Sequence, residues 1–407
     1  MSKKRILFVD DEPLILQGLQ RMLRSMRDEW EMVFVEGGEK ALATMEQGPF
    51  DVVVTDMRMP VMNGAQLLRE VRARHPRTVR LVLSGHADKE LVAQCVGVAH
   101  QYISKPCDPE QLKVMVRNAC LIGGDRVTDQ VKDILGSIDR LPVVPATYLE
   151  LERTLRDPEA GPQEVGAIIQ RDMAMTAKVL KLVNSAFFGL RRTIASPAEA
   201  VTYLGFDTVK NLVLFHAIFN RTEPLRTRHL GLDDLWRHSL AAAQGAKAIA
   251  AAEGAGRETT ETAYVGGLLQ DMGILVLASS FPEAYDRVAE VVLQEHVLLT
   301  TAEQEEFAIN HAEVGAYLLG LWGIPTAVLQ IVAGHHRPQQ IAEPGFQPEL
   351  AVYAADLLVG ELGGNELFRT GRFDLTTLER LGVAGRVDAW RQAVRDACAD
   401  LGEVQHG

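Results

Sequence analysis

The chain has 407 residues, 47% hydrophobic and 24% charged, a composition that suits two or three ordinary globular domains. The formal net charge is −12, and residues 1–122 carry about 17 basic and 16 acidic side chains, so nearly all of the negative charge lies after residue 122. An output region that acidic is a poor match for a phosphate backbone, so direct DNA binding is not expected. No stretch approaches the roughly eighteen uninterrupted apolar residues of a membrane span. The start, "MSKKRILFVDDEP", has too short an apolar run for a signal peptide, and a cytoplasmic setting is expected. Four cysteines (Cys95, Cys107, Cys120, Cys398) form no CxxC pair and read as reduced thiols.

In chain order, "RILFVDD" is an apolar strand ending in acids, and "PLILQGLQRMLRSM" has helical apolar spacing. "EMVFVE" and "GEKALATMEQG" follow as strand and helix, then "FDVVVTDMRMP" and "NGAQLLREVRARHP". "VRLVLSGH", "KELVAQCVGVA", "QYISKP" and "DPEQLKVMVRNACL" complete the alternation. Continuous apolar strands between helices predict a doubly wound parallel sheet of five strands, with any site at the carboxyl ends of the strands. Asp10, Asp11, Asp56, Ser84 and Lys105 each close a predicted strand and can therefore converge. Three carboxylates packed together repel, and a hard divalent cation such as Mg²⁺ relieves that. An aspartate there can attack phosphorus, while a lysine and a hydroxyl hold the phosphate oxygens.

These pieces ("FVDDEP", "VVVTDMRMPVMNG", "LVLSGH", "QYISKP") resemble the receiver domain of two-component response regulators, a flavodoxin-like α/β fold. The resemblance implies that Asp56 is the phosphoacceptor, served by a cognate histidine kinase. It also implies that Asp10, Asp11, Asp56 and the carbonyl of Arg58 bind Mg²⁺. Ser84, Lys105 and Tyr102 would be the switch hydroxyl, the phosphate sensor and the aromatic switch.

Residues 123–140 read as a linker helix, with an apolar stripe at Val127, Val131, Ile134, Ile138 and Leu141. The stripe suits either a homodimer contact or packing on the next domain. From about residue 141 the chain reads as all helix: an output domain over 141–340 and a helical extension over 341–407. Ser196, Pro197 and Glu199 predict a capping box. "TAYVGGLLQDMGILVLASSF" is apolar all round and predicts one central buried helix.

"LPVVPATYLELERTLRDPEAGPQEVGAIIQRDMAMTAKVLKLVNSAFFG" and "GLLQDMGILVL" resemble the HDOD domain, a relative of the HD metal-dependent phosphohydrolases. The wider resemblance places HD ligand positions at His238, Gln270-Asp271, His311, His335-His336 and Asp356. It departs at three points: glutamine replaces the first residue of the His-Asp pair, Ile274 replaces a lysine, and no GYP-type sequence follows His336. A neutral amide is a weaker ligand than imidazole. These departures imply a vestigial HD centre and no resident HDOD cofactor. The expected function is a response regulator whose HDOD domain acts by protein–protein contact on a downstream signalling protein. The alternative is a receiver-gated phosphohydrolase, cyclic-dinucleotide phosphodiesterase or nucleotide sensor.

Overall fold

The computed structural model describes residues 3–84, 99–105, 109–121, 146–155, 160–171, 194–206 and 225–399, the last span without residues 323 and 370, together with scattered positions between 131 and 214. The chain divides into two compact units, one of residues 1–143, 307–309 and 317–325 and the other of residues 144–306, 310–316 and 326–407. The linker reading over 123–140 and the helix "KELVAQCVGVA" lie outside the described residues, apart from Val131, Ile134 and Ala99.

In the first unit, β1 (Lys4–Asp10), α1 (Pro13–Met22), β2 (Trp30–Glu36), α2 (Gly38–Met45) and β3 (Val52–Asp56) are followed by α3 (Gly64–Arg74). Then come β4 (Val79–Ser84), β5 (Gln101–Ser104) and α4 (Pro109–Leu121). The strands form one sheet in the order β2-β1-β3-β4-β5, and every neighbouring pair is parallel. Residues 52–56 of β3 are all buried, as a central strand covered on both faces requires. Helix α3 is fixed at its start by Asn63, whose Oδ1 accepts from Gln66 N at 2.9 Å while Gln66 Oε1 accepts from Asn63 N at 3.0 Å. A Cβ on Gly64 would collide with the Asp56 carbonyl oxygen, so glycine is required where α3 meets the end of β3.

The second unit is helical. Its first described helices are α5 (Ala146–Thr154), α6 (Pro162–Gln170) and α7 (Pro197–Leu204). Ser196 accepts from Glu199 N as expected, but the Glu199 carboxylate reaches Ala195 N rather than Ser196 N. The expected box is thus shifted by one residue on its return side.

Its centre is α8 (Leu232–Ala252), packed on α9 (Arg257–Leu269), α15 (Pro348–Leu362) and α17 (Val387–Cys398). Alanines at 242, 243 and 246 and Gly267 let the α8 and α9 backbones approach closely, a Cβ on Gly267 falling 2.9 Å from the Ala242 carbonyl oxygen. Between α9 and α15 run α10 (Met272–Ser280), α11 (Pro282–Glu295), α12 (Leu299–Phe307), α13 (His311–Leu321) and α14 (Thr326–Gly334). Helix α16 (Leu375–Leu381) precedes α17.

The predicted single helix over "TAYVGGLLQDMGILVLASSF" is corrected to two, α9 and α10, broken at Gln270-Asp271. Just beyond the break the Gly273 backbone lies against the His311 carbonyl, where any Cβ would collide. Among the described residues, 257–280 is the one helical stretch both long and apolar enough to cross a membrane, and its most apolar window is 89% buried.

Candidate functional site

In the first unit, Asp10, Asp56 and Lys105 meet at the carboxyl ends of β1, β3 and β5. Lys105 Nζ donates to Asp10 Oδ2 at 3.0 Å and to Asp56 Oδ1 in a shorter contact. Arg58 N donates to Asp56 Oδ2 at 2.7 Å, and Glu12 N donates to Asp10 Oδ1 at 2.9 Å. Burial alone would lower the Lys105 ammonium, but its bonds to Asp56 and Asp10 carry it above the usual lysine value. Asp11 is half-buried beside them. Ser84 ends β4 and Tyr102 lies within β5, opposite Val82, both placed here by backbone.

In the second unit, His238, Gln270, Asp271, His311, His335, His336 and Asp356 come from α8, the α9–α10 break, the start of α13, the turn after α14, and α15. The structure gathers them into two adjoining groups. In one, His238 Nε2 lies 2.9 Å from Asp356 Oδ1 and 3.4 Å from Asp271 Oδ2. Gln270 Nε2 donates to the same Asp356 oxygen at 2.9 Å and to Asp271 Oδ2 at 3.2 Å. Phe368 stacks on the His238 ring with centroids 4.2 Å apart. In the other, His311 Nε2 lies 3.4 Å from His335 Nε2 and 3.0 Å from His336 Nε2. Asp271 Oδ1 faces this group, 3.5 Å from His311 and 3.8 Å from His335.

One residue that sequence reasoning missed holds the second group in place. Glu303, wholly buried on α12, accepts from His311 N at 2.9 Å and from His311 Nδ1 at 2.6 Å. Its other oxygen accepts from Tyr285 O–H at 2.8 Å. A carboxylate behind a histidine fixes the ring's tautomer and orientation. Glu303 sits in the run "EQEE", which reads as a solvated helix face, and nothing local in the sequence marks it out. A legible signal does mark the start of α13: Asn310 and Glu313 bond reciprocally, and Glu313 also holds Arg337, the residue after the histidine pair.

The electrostatics follow from burial and neighbours. Burial alone would depress His311, but Glu303 and then Asp271 raise it to about 9. Burial also opposes the charge on His238, and its hydrogen bond to Asp356 together with the charge of Asp271 outweighs it. His335 and His336 are lowered, by burial first and by neighbouring imidazoles second, and His336 lies well below the ordinary histidine value. Burial would raise Asp356, yet His238 and the other imidazoles hold it well below the usual carboxylate range.

The geometry depends on one close backbone contact. Gly273→Ala is expected to destabilise the protein by about 1–3 kcal/mol, the usual range for an added core methyl that meets rigid neighbours. Thermal melting followed by circular dichroism checks this, and an unchanged melt counts against the packing account of the helix break.

Comparisons with known proteins agree with this division. The response regulator receiver domain family matches residues 6–117, and the HDOD domain family matches residues 141–338. An uncharacterized protein of Treponema pallidum is 27% identical over 240 residues, which is 59% of this chain and 46% of that protein. The hydrogenase transcriptional regulatory protein HoxA of Cupriavidus necator is 38% identical over 123 residues, 29% of this chain and 25% of that protein. The chain thus spans less than half the length of these curated relatives. A crystal structure of an HDOD domain protein with unknown function from Geobacter sulfurreducens superposes with a TM-score of 0.51 at 26% identity, covering 67% of this chain and 98% of that one. The chain therefore carries an N-terminal response-regulator receiver domain and a C-terminal HDOD domain.

Proposed function

We propose that the protein is a phosphorylation-controlled response regulator in which Asp56 takes a phosphoryl group from a histidine kinase. The observation that carries this reading is the joining of Asp10 and Asp56 by Lys105 at the strand ends. An Asp56 oxygen attacks phosphorus, the phosphorus–nitrogen bond of the kinase phosphohistidine breaks, and the imidazole leaves. Lys105 is placed to pair with the incoming phosphoryl oxygens, and the Arg58 N–H already holds the other Asp56 oxygen. The all-oxygen donor set fits Mg²⁺, with Asp10, Asp11, Asp56 and the Arg58 carbonyl to hold it. A bound Mg²⁺ offsets the charge of the transferring group. Ser84 and Tyr102 then serve as the switch that registers the added charge.

In this reading the HDOD domain, with its extension over 341–407, signals by contact with a downstream protein in the cytoplasm. Homodimerisation through the receiver or the linker and an absence of direct DNA binding belong to the same proposal. Two features support contact over catalysis. The Gln270 amide spans Asp271 and Asp356, and Ile274 offers no cation to a phosphate. The space over His238, Asp271, His311 and Asp356 is about 10 Å³. That is room for about one water directly over these side chains, and the larger space of about 380 Å³ lies to one side, at His336 and Arg337.

The test is labelling of the full chain by radioactive acetyl phosphate in Mg²⁺. Wild type is expected to take up acid-stable, hydroxylamine-labile label, and Asp56→Asn to fall to background. Undiminished label in Asp56→Asn sinks the proposal. The convergence of His311, His335 and His336 favours a second reading, a metal-dependent phosphohydrolase. Turnover of bis(p-nitrophenyl) phosphate that disappears in His335→Gln would select it.

A further inference from the structure

We propose that residues 365–369 are a hinged plug that shuts the His238–Asp271–Asp356 group off from solutes, and that the opening of this segment sets access to the group. The proposal goes beyond the reading above and depends on neither the phosphorylation of Asp56 nor a metal.

The cover differs in chemistry from what it covers. Beneath it lie the carboxylates of Asp271 and Asp356 and the imidazole of His238, groups that water would solvate. Over them stand Leu298, Leu299, Leu367 and Phe368, and the space left is about 10 Å³. Phe368 closes directly on the group. Its ring lies flat on the His238 imidazole, with centroids 4.2 Å and planes 6° apart, and it is 5% exposed. Leu367 beside it is wholly buried.

This cover comes from outside the stretch that matches the HDOD family, which ends at residue 338. Helix α15 brings Asp356 to the group and ends at Leu362, and the following segment returns across it. A Cβ on Gly360 would fall 2.6 Å from the Phe368 carbonyl oxygen, so a glycine makes the seat on which the plug rests.

The segment is built to move as a piece. Gly363 (φ +106°) and Gly364 (φ +119°) precede it and Gly371 (φ +100°) follows it. Glycine takes these conformations without steric cost and leaves the backbone free to turn at both ends. Between the hinges, Glu366 and Arg369 face solvent and pair with each other. The bonds from Phe368 N to Asn365 O and from Arg369 N to Glu366 O are internal, so they survive a rigid displacement. Asn365 is the tether. Its Nδ2 donates to the His229 carbonyl oxygen at 2.8 Å and to Asp234 Oδ2 at 3.3 Å, and its Oδ1 accepts from Leu367 N at 3.0 Å. Two inserted side chains and one amide are a small hold, and such a unit opens separately from the core.

The test is native-state thiol labelling of the full chain with iodoacetamide, read peptide by peptide by mass spectrometry. Leu367→Cys puts a thiol on the plug, and Leu358→Cys puts one at a buried position of α15 as the reference. The plug thiol is expected to react about 100-fold faster than the reference, at a rate that dilute urea leaves unchanged. Equal rates that both rise with urea mean that the segment opens only with the fold, which overturns the hinge. Adding Asn365→Ala is expected to speed the plug thiol about tenfold, the loss of a tethering hydrogen bond. Carbethoxylation of His238 by diethyl pyrocarbonate is expected to rise by the same factor in Asn365→Ala, with the exposed His296 unchanged. A faster thiol with an unchanged His238 overturns the guarding role, and an unchanged thiol overturns the tether. If Leu367→Cys fails to fold, His238 labelling in wild type and Asn365→Ala decides alone, beside amide exchange in α8. A rise at His238 with α8 unchanged upholds the plug; no rise, or a rise in both, overturns it.

Discussion

Replacing Glu303 by alanine is expected to destabilise the helical unit by about 3–5 kcal/mol, the range for breaking a buried charge pair from one side. The loss is large because three donors converge on that carboxylate: the His311 ring, the His311 backbone N–H and the Tyr285 hydroxyl. Without it, a buried imidazole must lose its proton or remain uncompensated. The same pair has a pH signature in chelator-treated protein. His311 is raised from 6.5 to about 9 in the folded chain, so the stabilisation is complete below about pH 6.5 and is lost as pH rises through about 9. That interval corresponds to roughly 3 kcal/mol. His238, also raised, adds to the same slope, while His335 and His336, held neutral, act in the opposite sense only at lower pH. Urea unfolding midpoints between pH 6 and 10 read this directly. A wild-type slope retained in Glu303→Gln would show that the pair is not its source.

Trp390→Ala is the second large effect, expected at about 3–5 kcal/mol. Trp390 is wholly buried in a core shared by α8, α15 and α17, and its Nε1–H donates to Glu253 Oε1 at 2.7 Å. The same core holds α15 against α8, and α15 carries Asp356 opposite His238 of α8. Loss of the indole is therefore expected to loosen the His238–Asp356 group as well as the fold, seen as a lower melting temperature together with faster amide exchange in α8 and α15 in one variant. Trp390→Phe keeps most of the packing and is expected to lose about 1–2 kcal/mol through the unpaired acceptor. A melt unchanged in Trp390→Ala would mean that residues 387–398 unfold separately from the rest.

Asp10, Asp56 and Lys105 were legible because in a parallel sheet the rule is local. An apolar run ends, and the next polar side chain stands at the edge where sites form. The second unit was legible in its inventory and not in its shape. His238, Asp271, His311, His335, His336 and Asp356 were placed as ligand positions by the resemblance to the HD phosphohydrolases, not by composition or spacing. The break at Gln270-Asp271 was not legible, because both flanks are equally apolar and the approach of α13 to Gly273 beside it is a tertiary contact. Glu303 was hidden for the opposite reason: its neighbours Glu305 and Glu306 make the segment look wet, and only the tertiary position of His311 explains its burial. The shift of Glu199 from Ser196 to Ala195 is a smaller instance, a return bond decided by the path of the preceding chain.

The helix break also bears on how this protein can change over generations. The Gly273 backbone lies against the His311 carbonyl three residues beyond residue 270, a contact that involves no side chain at 270. Glutamine and histidine codons differ by a single third-base transversion. One mutational step therefore separates an amide-locked cluster from one with a fresh imidazole, with no refolding required to make use of it. A lineage built on this scaffold can lose or regain an ion-binding position far faster than it can lose the fold.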